Sequence, residues 1–260
     1  AAAIQADPDA RADALLKQMT RDEKLMLVFG YFGAEQPGKY TQPEESRWSS
    51  AGYVPGIARL GIPPQWQTDA GIGVATQHDA THWRERTSLP SGIATAATWD
   101  VNLAYRGGAM IGSEARDSGF NVMLAGGVNL LREPRNGRNF EYGGEDPLLA
   151  GMMVGAQVRG IQSNHIVSTI KHYAFNAQET GRHFVSSNMD HDQARMSDLL
   201  AFQIAIEQSD AGSVMCAYNR IDGDYACENS WLLNDVLKGD WGYKGYVMSD
   251  WGAVYSTAKA

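Results

Sequence analysis

A net charge of −8 on 260 residues, with no cluster of lysine and arginine, argues against a nucleic acid as a partner. The sequence contains no run of eighteen apolar residues, so no membrane-spanning helix is expected. Because 43% of the residues are hydrophobic, the chain can bury a substantial core, and its length fits one large α/β domain or two small ones.

The N-terminal quarter of the chain predicts helix, loop and strand in that order. Residues 8–29 have apolar side chains at helical spacing, and Thr20-Arg-Asp-Glu23 is a capping box that restarts the helix. Residues 30–56 are rich in Gly, Pro and Ser, which indicates a long loop. Residues 62–69 then predict a strand that ends in the carboxylate of Asp69.

Two histidines in the polar stretch that follows need a separate interpretation. His78 and His82 are four residues apart, but no Glu follows His78 and no helical pattern surrounds them. The helical zinc motif is therefore absent, and we expect solvated loop histidines and no metal site.

From residue 100 onward, predicted helices and strands alternate. The predicted helices cover 100–118, 147–162, 190–208 and 229–238, and the predicted strands cover 120–124, 166–170, 212–216 and 246–248. This alternation predicts one α/β domain over residues 1–260, a TIM-like (β/α)8-type barrel with parallel strands. No dinucleotide glycine fingerprint and no P-loop follows a strand, which disfavours an open nucleotide-binding sheet.

The last predicted strand leads directly into a carboxylate. Tyr246 to Met248 form a short apolar run, as expected of a fully buried parallel strand, and Ser249, Asp250 and Trp251 follow it. Parallel α/β folds carry their chemistry at such strand ends. On this stretch alone, an Asp that caps the next helix is the favoured interpretation.

Polar residues follow several of the predicted strands. They are Asp69, Arg138, Lys171, His172, Tyr218 and Asp250. Each has an ordinary structural explanation by itself, such as a turn residue, a loop ion pair or a core aromatic. In a parallel barrel, however, these positions converge on one face. Carboxylate, Arg, Lys and His beside aromatic rings, without a glycine-rich phosphate cradle, favour a neutral polyhydroxylated ligand.

Five stretches together give a specific resemblance that covers nearly the whole chain. They are Thr68-Asp69-Ala-Gly-Ile-Gly, Arg135-Asn-Gly-Arg138-Asn-Phe-Glu141, Lys171-His172-Tyr-Ala-Phe-Asn176, Met215-Cys-Ala-Tyr218-Asn-Arg-Ile-Asp-Gly223 and Ser249-Asp250-Trp251. In this order they resemble glycoside hydrolase family 3. The resemblance implies a retaining β-glucosidase that removes terminal β-D-glucosyl residues from glucosides or oligosaccharides, with a barrel as its first domain and no cofactor.

The resemblance also implies a role for each site residue. Asp250 would be the nucleophile that forms a covalent glycosyl intermediate, with Tyr218 beside it and Trp251 lining the sugar pocket. The side chains that would bind the sugar hydroxyls are Asp69, Arg138, Lys171 and His172. Because neighbouring strand residues alternate faces, the resemblance further implies a non-proline cis peptide between Lys171 and His172.

Two departures from the family pattern concern the sugar pocket. The stretch from Asp69 to Ala75 lacks the Arg that many members carry after the glycine, which affects the outer hydrogen bonds of the pocket. Lys171-His172 continues as Tyr-Ala-Phe-Asn, whereas the branch that cleaves N-acetylglucosaminides has Phe-Pro-Gly-His-Gly. That activity is therefore disfavoured.

The third departure concerns the second catalytic carboxyl. Only ten residues follow Asp250, whereas family members complete their barrel and commonly add an α/β sandwich domain that supplies the acid/base Glu. Glu141 and Glu179 are interpreted as structural. We therefore expect an incomplete barrel, an acid/base outside this chain, and a partner in the remaining C-terminal part of a two- or three-domain enzyme.

Two alternatives to the β-glucosidase stay open from the sequence. A β-xylosidase of the same family differs at the sugar C5 substituent, which sequence order does not show. A sugar-binding fragment without turnover fits the missing acid/base.

The two cysteines indicate the compartment. Cys216 and Cys227 flank a turn-rich segment, and their spacing is not that of a CxxC motif. We predict a disulfide between them; the alternative is two free buried thiols. The start Ala-Ala-Ala-Ile-Gln-Ala resembles either a mature end after signal cleavage or an arbitrary boundary. A disulfide and a cleaved signal together predict a periplasmic or secreted protein.

Overall fold

The structure is a computed structural model that describes residues 7–36, 38–46, 50–75 and 85–260. The predictions for residues 1–6 and for His78 and His82 lie outside the described residues. The described chain divides into two compact units, one ending at residue 67 and one comprising residues 68–75 and 85–260. Within the described ranges, no helix is both long enough and apolar enough to cross a membrane.

The described residues of the first unit include two α-helices, a short 3-10 helix (Ala58–Leu60) and all but the last residue of a strand pair. Helices α1 (Pro8–Gln18) and α2 (Arg21–Leu27) are separate because of the predicted capping box, in which the Thr20 hydroxyl accepts a hydrogen bond from the Glu23 amide. Strands β1 (Gly52–Val54) and β2 (Gln65–Thr68) pair antiparallel. The prediction of a loop through residue 56 is wrong at β1, because its strand bonds come from a distant segment.

The second unit contains α3 (Gly92–Ala96), α4 (Val101–Asp117), α5 (Pro147–Gln162), α6 (His191–Met196), α7 (Asp198–Ser209) and a π-type helical segment, Trp231–Asp240. Aspartates at the N-caps begin three of these helices: Asp100 accepts from the Leu103 amide, Asp146 from the Leu149 amide and Asp190 from the Asp192 amide. The predicted single helix over 190–208 is wrong. It breaks at Ser197, which has φ −129° and ψ −98° and whose hydroxyl donates to the Gln193 carbonyl.

The strands of the second unit form two groups. In chain order they are β3 (Val122–Met123), β4 (Val167–Tyr173), β5 (Ser186–Ser187), β6 (Ser213–Cys216), β7 (Arg220–Ile221), β8 (Asp224–Tyr225) and β9 (Tyr246–Ser249). Strands β3, β4, β6 and β9 are parallel neighbours in that order. Strands β5, β7 and β8 form a small sheet that the sequence did not predict.

Two predictions about this parallel sheet need correction. Strand β9 is not fully buried: Tyr246 is 36% exposed, because β9 has a strand neighbour on one side only among the described residues. Strand β4 is longer than predicted and includes Lys171 and His172, which were expected past its end. The α/β class with parallel strands and intervening helices is confirmed.

Helix α5 packs between α4 and α7 and forms the centre of the helical layer. Its approach to α4 is close enough to require glycine: a Cβ on Gly108 would lie 2.0 Å from the Gln157 carbonyl oxygen. On the other side of α5, Val158 belongs to the same apolar cluster as Ile170 of β4 and Val214 of β6. This packing fixes β4 and β6, the strands next to which the polar cluster forms.

Candidate active site

Strand β4 delivers two polar side chains into the interior of the second unit. The Lys171 side chain is 5% exposed and that of His172 is 1% exposed. The peptide bond between them is cis, as the resemblance implied. The backbone of Lys171 bonds on both sides to the segment after β3, donating to the Gly126 carbonyl at 2.9 Å and accepting from the Val128 amide at 3.0 Å.

Two residues hold His172 in place. The Asn129 side chain bonds both backbone groups of His172: its Oδ1 accepts from the amide at 2.7 Å and its Nδ2 donates to the carbonyl at 3.0 Å. The Tyr142 hydroxyl lies 3.0 Å from His172 Nδ1. The ring therefore has a fixed orientation, and Nε2 makes no hydrogen bond to the residues that the structure describes.

Asp250 follows β9 and faces this histidine. Its amide donates to the Cys216 carbonyl at 3.1 Å, which continues the β6–β9 ladder by one residue. Its Oδ1 accepts from the Trp251 amide at 2.8 Å, and its Oδ2 lies 3.7 Å from His172 Nε2. The Asp250 side chain is 14% exposed, so a carboxylate from β9 and an imidazole from β4 meet in a mostly enclosed place.

Lys171 lies between two carboxylates. Its Nζ is 3.6 Å from Asp69 Oδ1, just past β2, and 3.7 Å from Glu141 Oε2 in the loop before α5. Glu141 also accepts a hydrogen bond from Arg138 Nε. Burial raises the pKa of Glu141, but Lys171 and Arg138 outweigh burial and hold that pKa below its usual value. Glu141 is thus a carboxylate that bridges two cations.

A further ion pair lies beside Arg138. Glu179 Oε2 accepts from Arg182 at 2.8 Å, and Glu179 Oε1 lies 4.0 Å from Arg138. The Arg182 guanidinium stands 4.4 Å from the centre of the Tyr218 ring. These charges connect the loop before α5 with the segment after β4.

Tyr218 follows β6 and lies beside Asp250. Its hydroxyl donates to the Trp251 carbonyl at 2.8 Å. Burial and then the negative charge of Asp250 raise the pKa of Tyr218, so the phenol stays protonated at neutral pH. The backbone of the half-buried Trp251 is held on both sides, its amide by the Asp250 carboxylate and its carbonyl by the Tyr218 hydroxyl.

His172 is neutral in this setting. Complete burial lowers the pKa of His172 well below its usual value, and the nearby charges of Arg138, Lys171 and Arg182 lower it further. A neutral imidazole donates one hydrogen bond and accepts another. It can therefore bind a hydroxyl next to a carboxylate without itself carrying charge.

The structure brings the predicted site residues together in one unit. Asp250 contacts His172, and Tyr218 donates a hydrogen bond to the residue after Asp250. Lys171 contacts Asp69, and Glu141 links Lys171 to Arg138. Sequence reasoning missed the side chains of Asn129, Tyr142 and Arg182. It interpreted Glu141 and Glu179 as structural, and the structure pairs both with cations. One signal was available, because Arg138 and Glu141 are three residues apart and flank a short helical turn.

The predicted disulfide between Cys216 and Cys227 is present, with Cα atoms 5.2 Å apart. Cys216 is the residue of β6 that pairs with Ser249, immediately before Asp250. The crosslink therefore anchors β6, the strand whose Cys216 carbonyl accepts the hydrogen bond of the Asp250 amide. Among the described residues, no group of three or more His, Cys, Asp and Glu could hold a metal ion.

The fold and this polar cluster define an α/β chain with a candidate sugar site at the ends of its parallel strands. Residues 47–260 match the family model described as the glycosyl hydrolase family 3 N terminal domain. The chain belongs to that family, which confirms the resemblance drawn from the five sequence stretches.

Individual relatives agree with this assignment. The chain is 36% identical to Beta-glucosidase BoGH3A of Bacteroides ovatus, over 97% of this chain and 32% of the relative. It is 35% identical to Thermostable beta-glucosidase B of Acetivibrio thermocellus, over 92% of this chain and 30% of the relative.

A solved structure extends the likeness to three dimensions. Beta-glucosidase 3B from Thermotoga neapolitana, in complex with glucose, superposes with a TM-score of 0.85 at 37% identity, covering 92% of this chain and 34% of that one. The chain thus spans about a third of the length of the proteins that it matches.

Proposed function

We propose that this chain carries the nucleophile and most of the glucose-binding pocket of a retaining β-glucosidase. The observation that carries the proposal is the convergence of Asp250 with His172 at 3.7 Å, beside Lys171 and its two carboxylates. Relatives named β-glucosidases support the substrate class. The proposal also includes the covalent intermediate, the retained anomeric configuration and the role of each residue.

In the proposed first step, Asp250 attacks the anomeric carbon of the terminal glucose. An ester bond forms between an Asp250 carboxylate oxygen and that carbon as the bond to the leaving oxygen breaks, and water later cleaves the ester with retention. The Trp251 amide holds Oδ1 at 2.8 Å, which leaves Oδ2 as the attacking oxygen. Tyr218 is protonated and does not compete with Asp250 as a nucleophile.

The remaining side chains would bind the sugar hydroxyls. Lys171 and Arg138 are donors, Asp69 is an acceptor, and neutral His172 acts as one or the other at each ring nitrogen. Because Lys171 and His172 are almost fully buried, their hydrogen bonds to a sugar would form in a water-poor place. Trp251 offers an apolar surface beside the nucleophile.

We place the acid/base carboxyl in the part of the protein outside this chain. Retaining hydrolysis needs a second carboxyl roughly 5–5.5 Å from the nucleophile, with a raised pKa. Glu141 is held between Lys171 and Arg138, and its pKa is lowered instead of raised. Glu179 is engaged by Arg182 at 2.8 Å. Both carboxylates therefore serve as partners of cations.

Barrel closure, domain organisation and export belong to the same proposal. Parallel strands with intervening helices support a (β/α)8-type barrel that the rest of the protein completes. The relatives, about three times as long as this chain, support the assignment of this chain to an N-terminal domain. The Cys216–Cys227 disulfide supports a periplasmic or secreted location, since disulfides persist in oxidising compartments.

Turnover of aryl glycosides by the complete protein tests the function. We expect hydrolysis of an aryl β-D-glucoside, with little turnover of the α-glucoside or the β-xyloside, and a β-anomer as the first product in NMR spectra. Asp250→Asn should lower kcat by about a thousandfold or more. The matched control Asp222→Asn, at an exposed turn paired with His191, should retain activity. An α-anomer as first product, or full activity in Asp250→Asn, contradicts the proposal.

A further inference from the structure

A fully buried contact lies behind His172, on the side of the ring away from Asp250. Tyr142 is 0% exposed and His172 is 1% exposed, and the tyrosine hydroxyl lies 3.0 Å from Nδ1. The two rings stand edge to face, with an interplanar angle of 89°. The opposite ring nitrogen, Nε2, faces the Asp250 carboxylate at 3.7 Å. Tyr142 and Asp250 thus contact the same imidazole from its two ends.

A neutral imidazole carries one N–H, so the partner of one nitrogen decides the state of the other. If the Tyr142 hydroxyl donates to Nδ1, the proton of His172 resides on Nε2 and points toward Asp250. If Nδ1 donates to the hydroxyl instead, the lone pair of Nε2 faces a carboxylate, which is electrostatically unfavourable.

The surroundings of Tyr142 favour donation by its hydroxyl. Burial raises the pKa of Tyr142, so the phenol keeps its proton at neutral pH. Within the part of the chain that the structure describes, no other hydrogen bond of this hydroxyl is found, so His172 Nδ1 is the acceptor for its proton. Asn129 bonds both backbone groups of His172 and so holds the backbone that carries the ring.

We propose that Tyr142 is a positioning residue that fixes His172 in the Nε2–H tautomer, so that the histidine turns its N–H toward Asp250 and can donate it to a sugar hydroxyl. This inference rests on the proposed function for its catalytic consequence. The tautomer itself follows from the contacts of His172 and is measurable without any substrate. Tyr142 acts through His172 and does not touch the reacting atoms.

Nitrogen-15 NMR of histidine side chains in the complete protein tests the assignment. The His172 signals are identified by their loss in His172→Gln. The wild type should show a protonated Nε2 and an unprotonated Nδ1. Tyr142→Phe keeps the ring and removes the hydroxyl; because Asp250 alone then favours Nε2–H, the variant should show a measurable share of the Nδ1–H tautomer beside it. Tyr173→Phe is the matched control, since Tyr173 is also 0% exposed but donates to the Leu232 carbonyl at 3.1 Å.

Activity provides the second readout. Tyr142→Phe should lower kcat/KM on an aryl β-glucoside by about three- to tenfold, as for one lost neutral hydrogen bond, while Tyr173→Phe should stay within about twofold. A wild type with Nδ1–H, an unchanged tautomer in Tyr142→Phe, or an altered tautomer with unchanged kcat/KM would each overturn the proposal. If the complete protein hydrolyses no β-glucoside, the proposed function fails, while the NMR result still decides the tautomer.

Discussion

Glu141→Gln removes the negative charge that Lys171 and Arg138 share. The Glu141 side chain is 9% exposed, and that of Lys171 is 5% exposed. Removing one partner of a buried ion pair costs about 3–5 kcal/mol. In Glu141→Gln, each cation still has one carboxylate partner: Asp69 lies 3.6 Å from Lys171, and Glu179 lies 4.0 Å from Arg138, whose side chain is 22% exposed. These partners still offset part of the cost of burying the two positive charges. We therefore expect a loss of about 2–3 kcal/mol in the free energy of unfolding at pH 7.

The difference in the free energy of unfolding between wild type and Glu141→Gln should become smaller at low pH. Burial raises the pKa of Glu141, but Lys171 and Arg138 bring it below the usual 4.5. A carboxyl with a lowered pKa stabilises the folded state above its unfolded pKa, and this stabilisation disappears as the pH falls through the folded pKa. Glutamine does not titrate. The gap between wild type and Glu141→Gln should therefore be complete at pH 7 and should narrow below about pH 4.5.

Urea unfolding of the complete protein at pH 7 and at pH 4, followed by tryptophan fluorescence, measures both effects. Glu133→Gln is the matched control, because Glu133 lies in the same loop but pairs with Arg135, whose side chain is 89% exposed. The control should unfold at the same urea concentration as the wild type at both pH values. An equal loss in both variants, or a gap for Glu141→Gln that does not change with pH, would refute the reasoning.

Helix packing, the disulfide and the acid/base each lead to a further prediction. Gly108→Ala should lower the free energy of unfolding by about 1–3 kcal/mol, because its Cβ would lie 2.0 Å from the Gln157 carbonyl oxygen. In the control Gly107→Ala the new Cβ faces only a flexible leucine at 3.3 Å, so that variant should be as stable as the wild type or more stable. Equal midpoints of thermal unfolding in the two variants would contradict this. Reducing Cys216–Cys227 should cost about 2–3 kcal/mol; alkylation of both thiols without reductant, in protein from an oxidising compartment, would count against the crosslink. The 260-residue chain alone should turn over aryl β-glucosides about 10²–10⁴-fold more slowly than the complete protein, and equal rates would place the acid/base within it.

Local chemistry explains which parts of the fold were predictable. The capping box at Thr20 and Glu23 and the Asp146-Pro147 helix start act within one turn, so the sequence reveals them directly. Strand β1 gains its backbone bonds from β2, more than ten residues further on, and no local pattern announces that pairing. The break at Ser197 also escaped, because apolar spacing continues on both sides of it.

The candidate site divides in the same way. Residues directly after strands, such as Asp69 and Asp250, were identified because strand ends share one face. The groups that hold them were not, since Tyr142 reaches His172 across 30 positions and Asn129 reaches it across 43. Contacts of that separation depend on how β4 lies beside the segment after β3, which local sequence does not encode.

The nucleophile assignment is tested most directly by trapping the intermediate. The complete protein is incubated with an activated 2-deoxy-2-fluoro-β-D-glucoside, digested, and analysed by mass spectrometry. We expect one covalently bound fluoroglucosyl group on the peptide that contains Asp250, and none in Asp250→Asn. A label on any other carboxylate, or unlabelled protein that still hydrolyses β-glucosides, would contradict the assignment of Asp250 as the nucleophile.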